Sequence, residues 1–322
     1  MIYIFLFLLS TILTYYIKNH AIKNSLLDEV NERSSHTVAT PHGGGIAIAI
    51  VYFMGISYLF FIDSLDSSLY GALLLGSIIS IVSYFDDLYG LSAKIRLLTQ
   101  AIVAILGLYF LGGLNSLDLF LFHIDNQILT NIFAFMLIVW FINLYNFLDG
   151  IDGYAGSEAI FLSLAGFFLF GGNHFLVLVV SVLGFLVWNW HRAKIFMGDV
   201  GSTMLGYNVA IFTLYYANEN SSNLWIWITL FGVFWFDATI TLMRRYKNKE
   251  NLNKAHKKHA YQRLHQSGLS HEKIVIYSLF VNFLLFSLVY FIDSVFISFI
   301  LSIFILFIIM RYVDYKKSFI KK

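Results

Sequence analysis

The stretch Asn143-Leu-Tyr-Asn-Phe-Leu-Asp-Gly-Ile-Asp-Gly153 follows about twenty mostly apolar residues, so it lies where a predicted membrane helix meets water. Asn143, Asn146 and Asp149 are three residues apart, and this spacing places them on one helical face. Asp152 continues the spacing, although the glycine after each aspartate is expected to end the helix. Hard oxygen ligands clustered in this way suit Mg²⁺ and phosphate chemistry. A helix cap, the alternative, needs only one such residue.

The composition places the whole chain in a membrane. Of its 322 residues, 59% are hydrophobic and 12% are charged, whereas soluble domains carry about 25% charged residues. The chain has no cysteine, which excludes disulfides and thiol chemistry. One proline and the lack of low-complexity stretches favour a single domain over residues 1–322. The lipid bilayer is therefore an expected partner, and no nucleic-acid partner is expected.

Apolar segments of roughly membrane-spanning length recur along the chain and predict an all-α polytopic fold. The first, residues 1–17, lacks the basic start and cleavage site of a signal peptide, so we expect it to be retained. The others lie at residues 44–62, 69–85, 97–113, 126–146, 156–171, 174–190, 201–217, 224–243, 274–292 and 295–312. Together they predict eleven transmembrane helices.

The lysines and arginines predict the orientation of these helices. All 21 fall in alternate loops or in the C-terminal tail, within residues 18–33, 94–96, 192–194, 244–273 and 311–322. Because cytoplasmic loops carry the excess of basic residues, the N-terminus is predicted outside and the C-terminus in the cytoplasm. The same topology brings five aspartates to helix ends on the cytoplasmic face: Asp86, Asp87, Asp149, Asp152 and Asp199. This convergence predicts a cytoplasmic active site.

Two further loops carry phosphate-type chemistry. Adjacent carboxylates at Asp86 and Asp87 repel each other unless a cation or a shared proton relieves them, and Lys94 opens the next helix as a point charge for phosphate. A solvated charged loop is the alternative. Asp199 sits among Gly198, Gly201 and Ser202 at the start of the eighth predicted helix, which resembles a cradle for phosphate or metal. Helix capping by Asp199 is an equal alternative.

The ninth predicted loop combines bases with histidine and tyrosine. His256 and His259 have zinc-like spacing, but no cysteine or third close ligand accompanies them. Together with Tyr261 and Arg263, they better suit a nucleotide-sugar pyrophosphate. A plain basic loop of the cytoplasmic side is the alternative.

These motifs, in this order, resemble the polyprenyl-phosphate N-acetylhexosamine-1-phosphate transferase family (glycosyltransferase family 4). The matching pieces span roughly residues 40–265: His42-Gly-Gly-Gly45, Asp86-Asp87 with Lys94 and Gln100, Asn143 through Gly153, Phe196-Met-Gly-Asp199-Val-Gly-Ser202, and the histidine loop. The His259-Ala-Tyr-Gln-Arg263 stretch is similar to the branch that initiates O-antigen or related surface glycans. It departs from the phospho-N-acetylmuramoyl-pentapeptide branch of peptidoglycan synthesis, which has a run of adjacent histidines and stays the alternative.

The resemblance implies transfer of a sugar-1-phosphate, N-acetylhexosamine or its 6-deoxy form, from a UDP-sugar to undecaprenyl phosphate, with release of UMP. It implies Mg²⁺, with Mn²⁺ as an alternative, bound by Asn146 and Asp199. The implied location is the bacterial inner membrane, with the active site facing the cytoplasm, and a homodimer is one assembly that this allows.

The same resemblance assigns expected roles to the other site residues. Asp86, Asp87, Asp149 and Lys94 form the expected catalytic set, in which Asp86 deprotonates or orients the lipid phosphate and Asp149 acts as metal support or nucleophile. Asp152 is the expected uridine contact. The remaining expected substrate contacts are Asn143, Gly44, Gly45, His256, His259 and Arg263.

A transporter or flippase is the rival from a different class. Transporters bury ionisable groups near the bilayer midplane, often within inverted repeats. Asp237, inside the ninth helix with Arg244 seven residues on, fits that reading best. The gathering of the other aspartates on one face, without a visible repeat, favours the transferase.

Overall fold

The computed structural model describes residues 1–24, 26–28, 39–120, 122–252, 254 and 256–319. Arg33, Lys321 and Lys322, which enter the charge argument above, lie outside the described residues. Fourteen helices are present in the described part of the chain. They are α1 (Ile2–Lys23), α2 (Gly45–Phe61), α3 (Ser67–Leu74), α4 (Gly76–Tyr89), α5 (Ala93–Leu111), α6 (Gln127–Leu148), α7 (Tyr154–Phe170), α8 (Asn173–Asn189), α9 (Asp199–Glu219), α10 (Asn223–Leu230), α11 (Gly232–Lys247), α12 (Ala260–Gln266), α13 (His271–Phe291) and α14 (Val295–Lys316).

Two small antiparallel strand pairs complete the described structure. β1 (Leu27–Asp28) pairs with β2 (Thr40–Pro41), and β3 (Leu117–Asp118) pairs with β4 (His123–Ile124). The all-α prediction is therefore confirmed in its main feature, with short strands only in connections.

Each of the eleven predicted apolar segments coincides with one helix or with a consecutive helix pair. Within the described residues, six helical spans are long and apolar enough to cross a membrane, namely α1, α3 with α4, α5, α6, α13 and α14. A seventh is added if α10 and α11, which meet at 75°, count as one span. α2, α7 and α8 are apolar but shorter. These helices indicate a multi-pass membrane protein, whereas the count of eleven spans and the sides of the termini stay predictions.

The bend between α10 and α11 was not predicted from the sequence. It lies at Phe231, directly before Gly232. A side chain at Gly232 would lie 2.8 Å from Leu285 and 2.9 Å from Leu306, so the glycine lets α13 and α14 pack against the bend.

α9 is the central helix of the bundle and packs against α2, α4, α6 and α10. Most of its side chains are buried, including Ser202, Thr203, Asn208 and Thr213. Small and polar residues suit helix–helix contacts in membranes because they allow close approach and hydrogen bonds. This role explains why α9, despite its length, is less apolar than the lipid-facing helices, on which side chains such as Phe304 of α14 (60% exposed) remain uncovered.

Candidate active site

Four of the five aspartates predicted to converge, namely Asp86, Asp87, Asp149 and Asp199, meet at the ends of α4, α6 and α9, whereas Asp152 lies in a separate cluster. Gly90, in the left-handed conformation at φ +64°, ends α4 and turns the chain into α5. This turn brings Arg96 of α5 back to Asp86, with Nη1 3.0 Å from Oδ2. The same nitrogen lies 3.9 Å from Oδ2 of Asp199. Arg96 thus links two carboxylates from different helices.

Asn146 joins this group from α6. Its amide Nδ2 donates to Oδ1 of Asp199 at 2.8 Å and to Oγ of Ser202 at 2.9 Å. Gly206 makes the contact feasible, because any side chain there would meet the carbonyl oxygen of Phe141 across the α6–α9 interface. Neither bond uses the amide oxygen of Asn146, which is left as a ligand.

Asp87 adds a buried carboxylate oxygen to the cluster. Its Oδ2 is buried and has no hydrogen-bond partner among the described residues. A Cβ added to Gly198, whose φ is +76°, would lie only 3.1 Å from that oxygen. Because an unsatisfied buried carboxylate oxygen is costly, such an atom marks a place where a cation, a proton or a substrate binds.

Asp149 caps the C-terminus of α6, and its backbone N–H donates to the carbonyl of Asn146 at 3.2 Å. Burial, and then the negative charge of Asp199, raise the pKa of the Asp149 carboxyl to about 7. Perturbed carboxyls of this kind gather at functional sites. With Asp86, Asp87, Asn146 and Asp199, it completes a set of hard oxygen donors whose chemistry fits a cation such as Mg²⁺.

Gly44 and Gly45 hold the loop that precedes Asp199. Their backbone N–H groups donate to the carbonyls of Phe196 and Met197, each at 2.9 Å. A side chain at Gly45 would collide with the backbone of Gly201. The two glycines are therefore placed as supports of the Asp199 loop, and direct contact with substrate stays a prediction.

Asn143 and Lys94 lie on α6 and α5, the helices that also carry Asn146 and Arg96. The Asn143 amide donates to Oε1 of Gln100 at 2.7 Å and to the carbonyl of Val139 at 2.7 Å. Lys94 is the second residue of α5 and is exposed, and its contact with a phosphate stays a prediction.

Asp152 occupies a second, separate polar cluster. Its Oδ2 lies 3.1 Å from Nδ1 of His191 and 3.3 Å from Nδ1 of His271, and it accepts from the N–H of Ala193 at 3.2 Å. Burial works in the opposite direction, but hydrogen bonding and charge from His271, with the bonds from Ala193 and His191, hold the pKa of Asp152 below its usual range. The carboxylate is therefore ionised and accepts hydrogen bonds.

The ninth predicted loop contains the helix α12, which contacts the Asn143–Gly153 stretch. Tyr261 is buried, and its hydroxyl donates to the carbonyl of Phe147 at 3.2 Å. His259 is also buried, with Nδ1 3.5 Å from Oδ1 of Asp237. The two carboxylate oxygens of Asp237 each accept from the N–H of Ala260 at 2.8 Å, so this membrane-helix aspartate holds the start of α12.

Arg263 and His256 differ in how much of them a substrate can reach. The Arg263 guanidinium is 2% exposed and donates to Asp314 at 2.6 Å and to the carbonyl of Lys317 at 3.1 Å. His256 is partly exposed, and burial, followed by the charges of His259 and Arg245, lowers its pKa to about 4. His256 is therefore neutral near pH 7. The predicted substrate contacts of His256, His259 and Arg263 stay predictions.

Sequence reasoning missed three residues that the structure brings into the two clusters. Arg96 lies two residues after Lys94 and entered the argument only as a loop charge. His191 lies just before the Asp199 motif. His271 is 119 residues from Asp152 along the chain, and no local pattern links the two.

Comparison with known proteins agrees with the motifs. Residues 69–217 match the family described as glycosyl transferase family 4. A Bacillus subtilis (strain 168) protein named "Probable undecaprenyl-phosphate N-acetylglucosaminyl 1-phosphate transferase" is 33% identical over 297 residues, which are 85% of this chain and 79% of the relative. An undecaprenyl-phosphate alpha-N-acetylglucosaminyl 1-phosphate transferase of Thermotoga maritima is 27% identical over 79% of this chain and 78% of its own length. A decaprenyl-phosphate N-acetylglucosaminephosphotransferase of Mycobacterium leprae is 27% identical over 76% and 71%.

A helical membrane bundle with an acidic, oxygen-rich site at its helix ends defines a class of integral membrane transferases. Within that class, the chain belongs to the polyprenyl-phosphate N-acetylhexosamine-1-phosphate transferase family, which confirms the resemblance carried by its motifs.

Proposed function

We propose that this protein transfers a sugar-1-phosphate from a UDP-linked N-acetylhexosamine, or its 6-deoxy form, to undecaprenyl phosphate and so starts a lipid-linked surface glycan. An oxygen of the lipid phosphate attacks the sugar-bearing phosphorus, the bond between the two donor phosphates breaks, and UMP leaves. The observation that carries the proposal is the clustering of Asp86, Asp87, Asn146, Asp149 and Asp199 at the ends of α4, α6 and α9, where Arg96 pairs with Asp86 and Asp199. The names of the relatives support polyprenyl-phosphate acceptors.

Asn146 and Asp199 are the proposed ligands of Mg²⁺, because one carries an amide oxygen and the other a carboxylate, and the hydrogen bond from Nδ2 of Asn146 to Oδ1 of Asp199 at 2.8 Å holds the two side chains together. When bound, Mg²⁺ neutralises charge on the donor pyrophosphate. Arg96 keeps Asp86 and Asp199 in position and reduces their mutual repulsion. Lys94, exposed in the first turn of α5, contacts a phosphate as a point charge.

The lipid phosphate is proposed to lie against Asp86 and Asp87. Arg96 holds Asp86, so Asp86 orients the phosphate, while the unpartnered oxygen of Asp87 is placed to take a proton from it. Proton removal increases the negative charge on the attacking oxygen and hence its nucleophilicity.

A groove between α1, α2 and α4 supports a long apolar acceptor. It has a volume of about 570 Å³, and its lining is almost entirely apolar, with Ile46, Ala49 and Phe53 on α2. Its lining runs along α4 from Ser77 to Asp87, which is about 15 Å at the helical rise per residue. One end of the groove therefore reaches Asp87, and the isoprenoid chain is the proposed occupant.

The experiment is an assay of the purified protein in detergent with undecaprenyl phosphate and a panel of UDP-sugars, including UDP-GlcNAc and its 6-deoxy relatives. We expect Mg²⁺-dependent release of UMP and one preferred donor. Asp199→Asn is expected to abolish turnover without rescue by added Mg²⁺, because an amide lacks the charge that holds a hard cation. A folded protein that releases no UMP from any donor would refute the proposal, and an active Asp199→Asn protein would remove Asp199 from the metal site.

A further inference from the structure

The cluster around Asp152 contains a residue from outside the segment that matches the family. His271 is the first residue of α13 and is buried, at 6% exposure. Its Nδ1 lies 3.3 Å from Oδ2 of Asp152, and His191, from the connection between α8 and α9, places its own Nδ1 3.1 Å from the same oxygen. Two imidazoles, 39 and 119 residues further along the chain than Asp152, thus converge on one of its carboxylate oxygens.

The proton on His271 can be assigned from its surroundings. The N–H of Asp152 also faces Nδ1 of His271, at 3.4 Å, and would need the nitrogen lone pair. The carboxylate is the stronger acceptor at shorter distance, so the Nδ1–H form is favoured and donates to it. The other ring nitrogen, Nε2, is buried without a hydrogen-bond partner among the described residues. All polar contact of the ring is therefore directed at Asp152.

This arrangement fixes one carboxylate oxygen and presents the other. Oδ2 is occupied by His191, His271 and the N–H of Ala193. Three contacts to one oxygen leave Oδ1 as the oxygen for a ligand N–H, and they prevent the carboxylate from rotating. Gly153, next in the chain, is held as well, because its N–H donates to Oδ1 of Asn189 at 2.9 Å.

We propose that His271 is a positioning residue for the donor nucleotide, through which helix α13 fixes the Asp152 carboxylate that contacts the uracil. The inference rests on the proposed function and on the uridine contact that the family resemblance implies for Asp152. It extends the donor site to the C-terminal helices, beyond the residues 69–217 that match the family.

The geometry of the contact gives a sharp pair of variants. Asparagine places its amide nitrogen near the position of Nδ1, whereas glutamine places it near Nε2. We therefore expect His271→Asn to retain UMP affinity within about threefold, while His271→Gln and His271→Ala weaken it about tenfold, the effect of one lost charge-assisted hydrogen bond. His123→Gln, an exposed histidine on β4, is the matched control and is expected to change nothing.

Binding of UMP to the full-length protein in detergent, by calorimetry, is the first readout, and steady-state kinetics are the second. His271→Ala should raise KM for the UDP-sugar about as much as it raises the Kd of UMP, with kcat and the KM of the lipid phosphate nearly unchanged. Loss of the hydrogen-bond donor in His271→Ala also raises the pKa of Asp152. On acidification, UMP binding by this variant should therefore be lost at a higher pH than in the wild type. His271→Asn should show the wild-type pH dependence.

Several results would overturn the inference. Equal UMP affinity in wild type and His271→Gln would show that Nδ1 positions nothing, and a drop in kcat with unchanged KM would place His271 elsewhere. The ligand atoms of Asp152, His191 and His271 lie within 4.8 Å of one another. If the wild type binds one zinc ion per protein and His271→Ala binds none, a metal rather than a hydrogen bond joins these atoms. If His271→Ala does not fold, the comparison of His271→Asn with His271→Gln still tests the inference. A wild-type protein that binds no UMP would refute the proposed function instead.

Discussion

The surroundings of Asp149 raise the pKa of its carboxyl. Its pKa of about 7 means that, between the pKa of an unfolded aspartate and about pH 7, the folded protein binds more protons at this residue than the unfolded chain. Its contribution to stability therefore falls as the pH rises toward 7. The cause is burial, to which the neighbouring Asp199 adds its negative charge.

We expect Asp149→Asn to stabilise the metal-free protein at pH 8 and to have a smaller effect at pH 6, because the amide removes a charge that the fold disfavours. Thermal unfolding in EDTA at the two pH values measures this. Asp293→Asn, an exposed aspartate, is the control and should not show the pH dependence. A destabilised Asp149→Asn protein at pH 8 would contradict the raised pKa of this carboxyl.

Arg263 tests whether a predicted substrate contact is instead a structural residue. Its guanidinium is buried against Asp314, which also receives two hydrogen bonds from Arg244, at 2.8 and 3.0 Å. Removing one buried, charge-assisted partner costs about 2 kcal/mol.

We expect Arg263→Ala to lower the free energy of unfolding by about 2 kcal/mol, with little change in UMP affinity. Denaturation in detergent and calorimetry provide the two values. Arg311→Ala, an exposed arginine on α14, should lose far less stability. A variant of unchanged stability but much weaker donor binding would support the substrate role predicted from the sequence.

At the scale of elements, the groove between α1, α2 and α4 runs along apolar helices and ends at Asp87 of the acidic cluster. Ala49 is a small buried residue on its wall, whereas Met54 of the same helix is 49% exposed and does not line it. Filling the groove should therefore affect a long acceptor chain and leave the head group's site intact.

We predict that Ala49→Trp raises KM for undecaprenyl phosphate about tenfold, because the indole occupies space that the isoprenoid needs. KM for geranyl phosphate, whose chain is short, and for the UDP-sugar should stay close to wild type. Met54→Trp controls for a bulky residue on α2. Equal losses with the long and the short acceptor would place the lipid chain in another part of the molecule.

At the scale of the whole molecule, the distribution of charge predicts the sides of the membrane. All 21 lysines and arginines fall in loops assigned to one side or in the tail, and this distribution predicts that the C-terminus and the acidic cluster face the cytoplasm. Since the chain has no cysteine, single cysteines can be introduced without background labelling.

We expect His123→Cys, on β4, to react with a membrane-impermeant thiol reagent in intact cells, and Lys249→Cys to react only after permeabilisation. A reporter fused after Lys322 should read cytoplasmic. Labelling of Lys249→Cys in intact cells would contradict the predicted orientation and the predicted side of donor binding.

Hydropathy and spacing were sufficient to locate the helices and to select Asp86, Asn146 and Asp199, because both signals depend on residues close together in the chain. Local rules also act at two helix starts, because the Ser92 side chain caps α5 and Asp199 puts an acid in the first turn of α9, where the helix dipole favours it. The resemblance to the family then indicated the reaction that the side-chain oxygens of these residues would support.

The partners of these residues depend on how helices pack, and no local pattern encodes that. Arg96 links Asp86 to Asp199 only because α4, α5 and α9 meet, and His271 reaches Asp152 across 119 residues. Arg263 turns to Asp314 for the same reason. The central position of α9 allows a helix with many polar residues to stand within the bundle, since its hydrogen-bonding groups face protein rather than lipid.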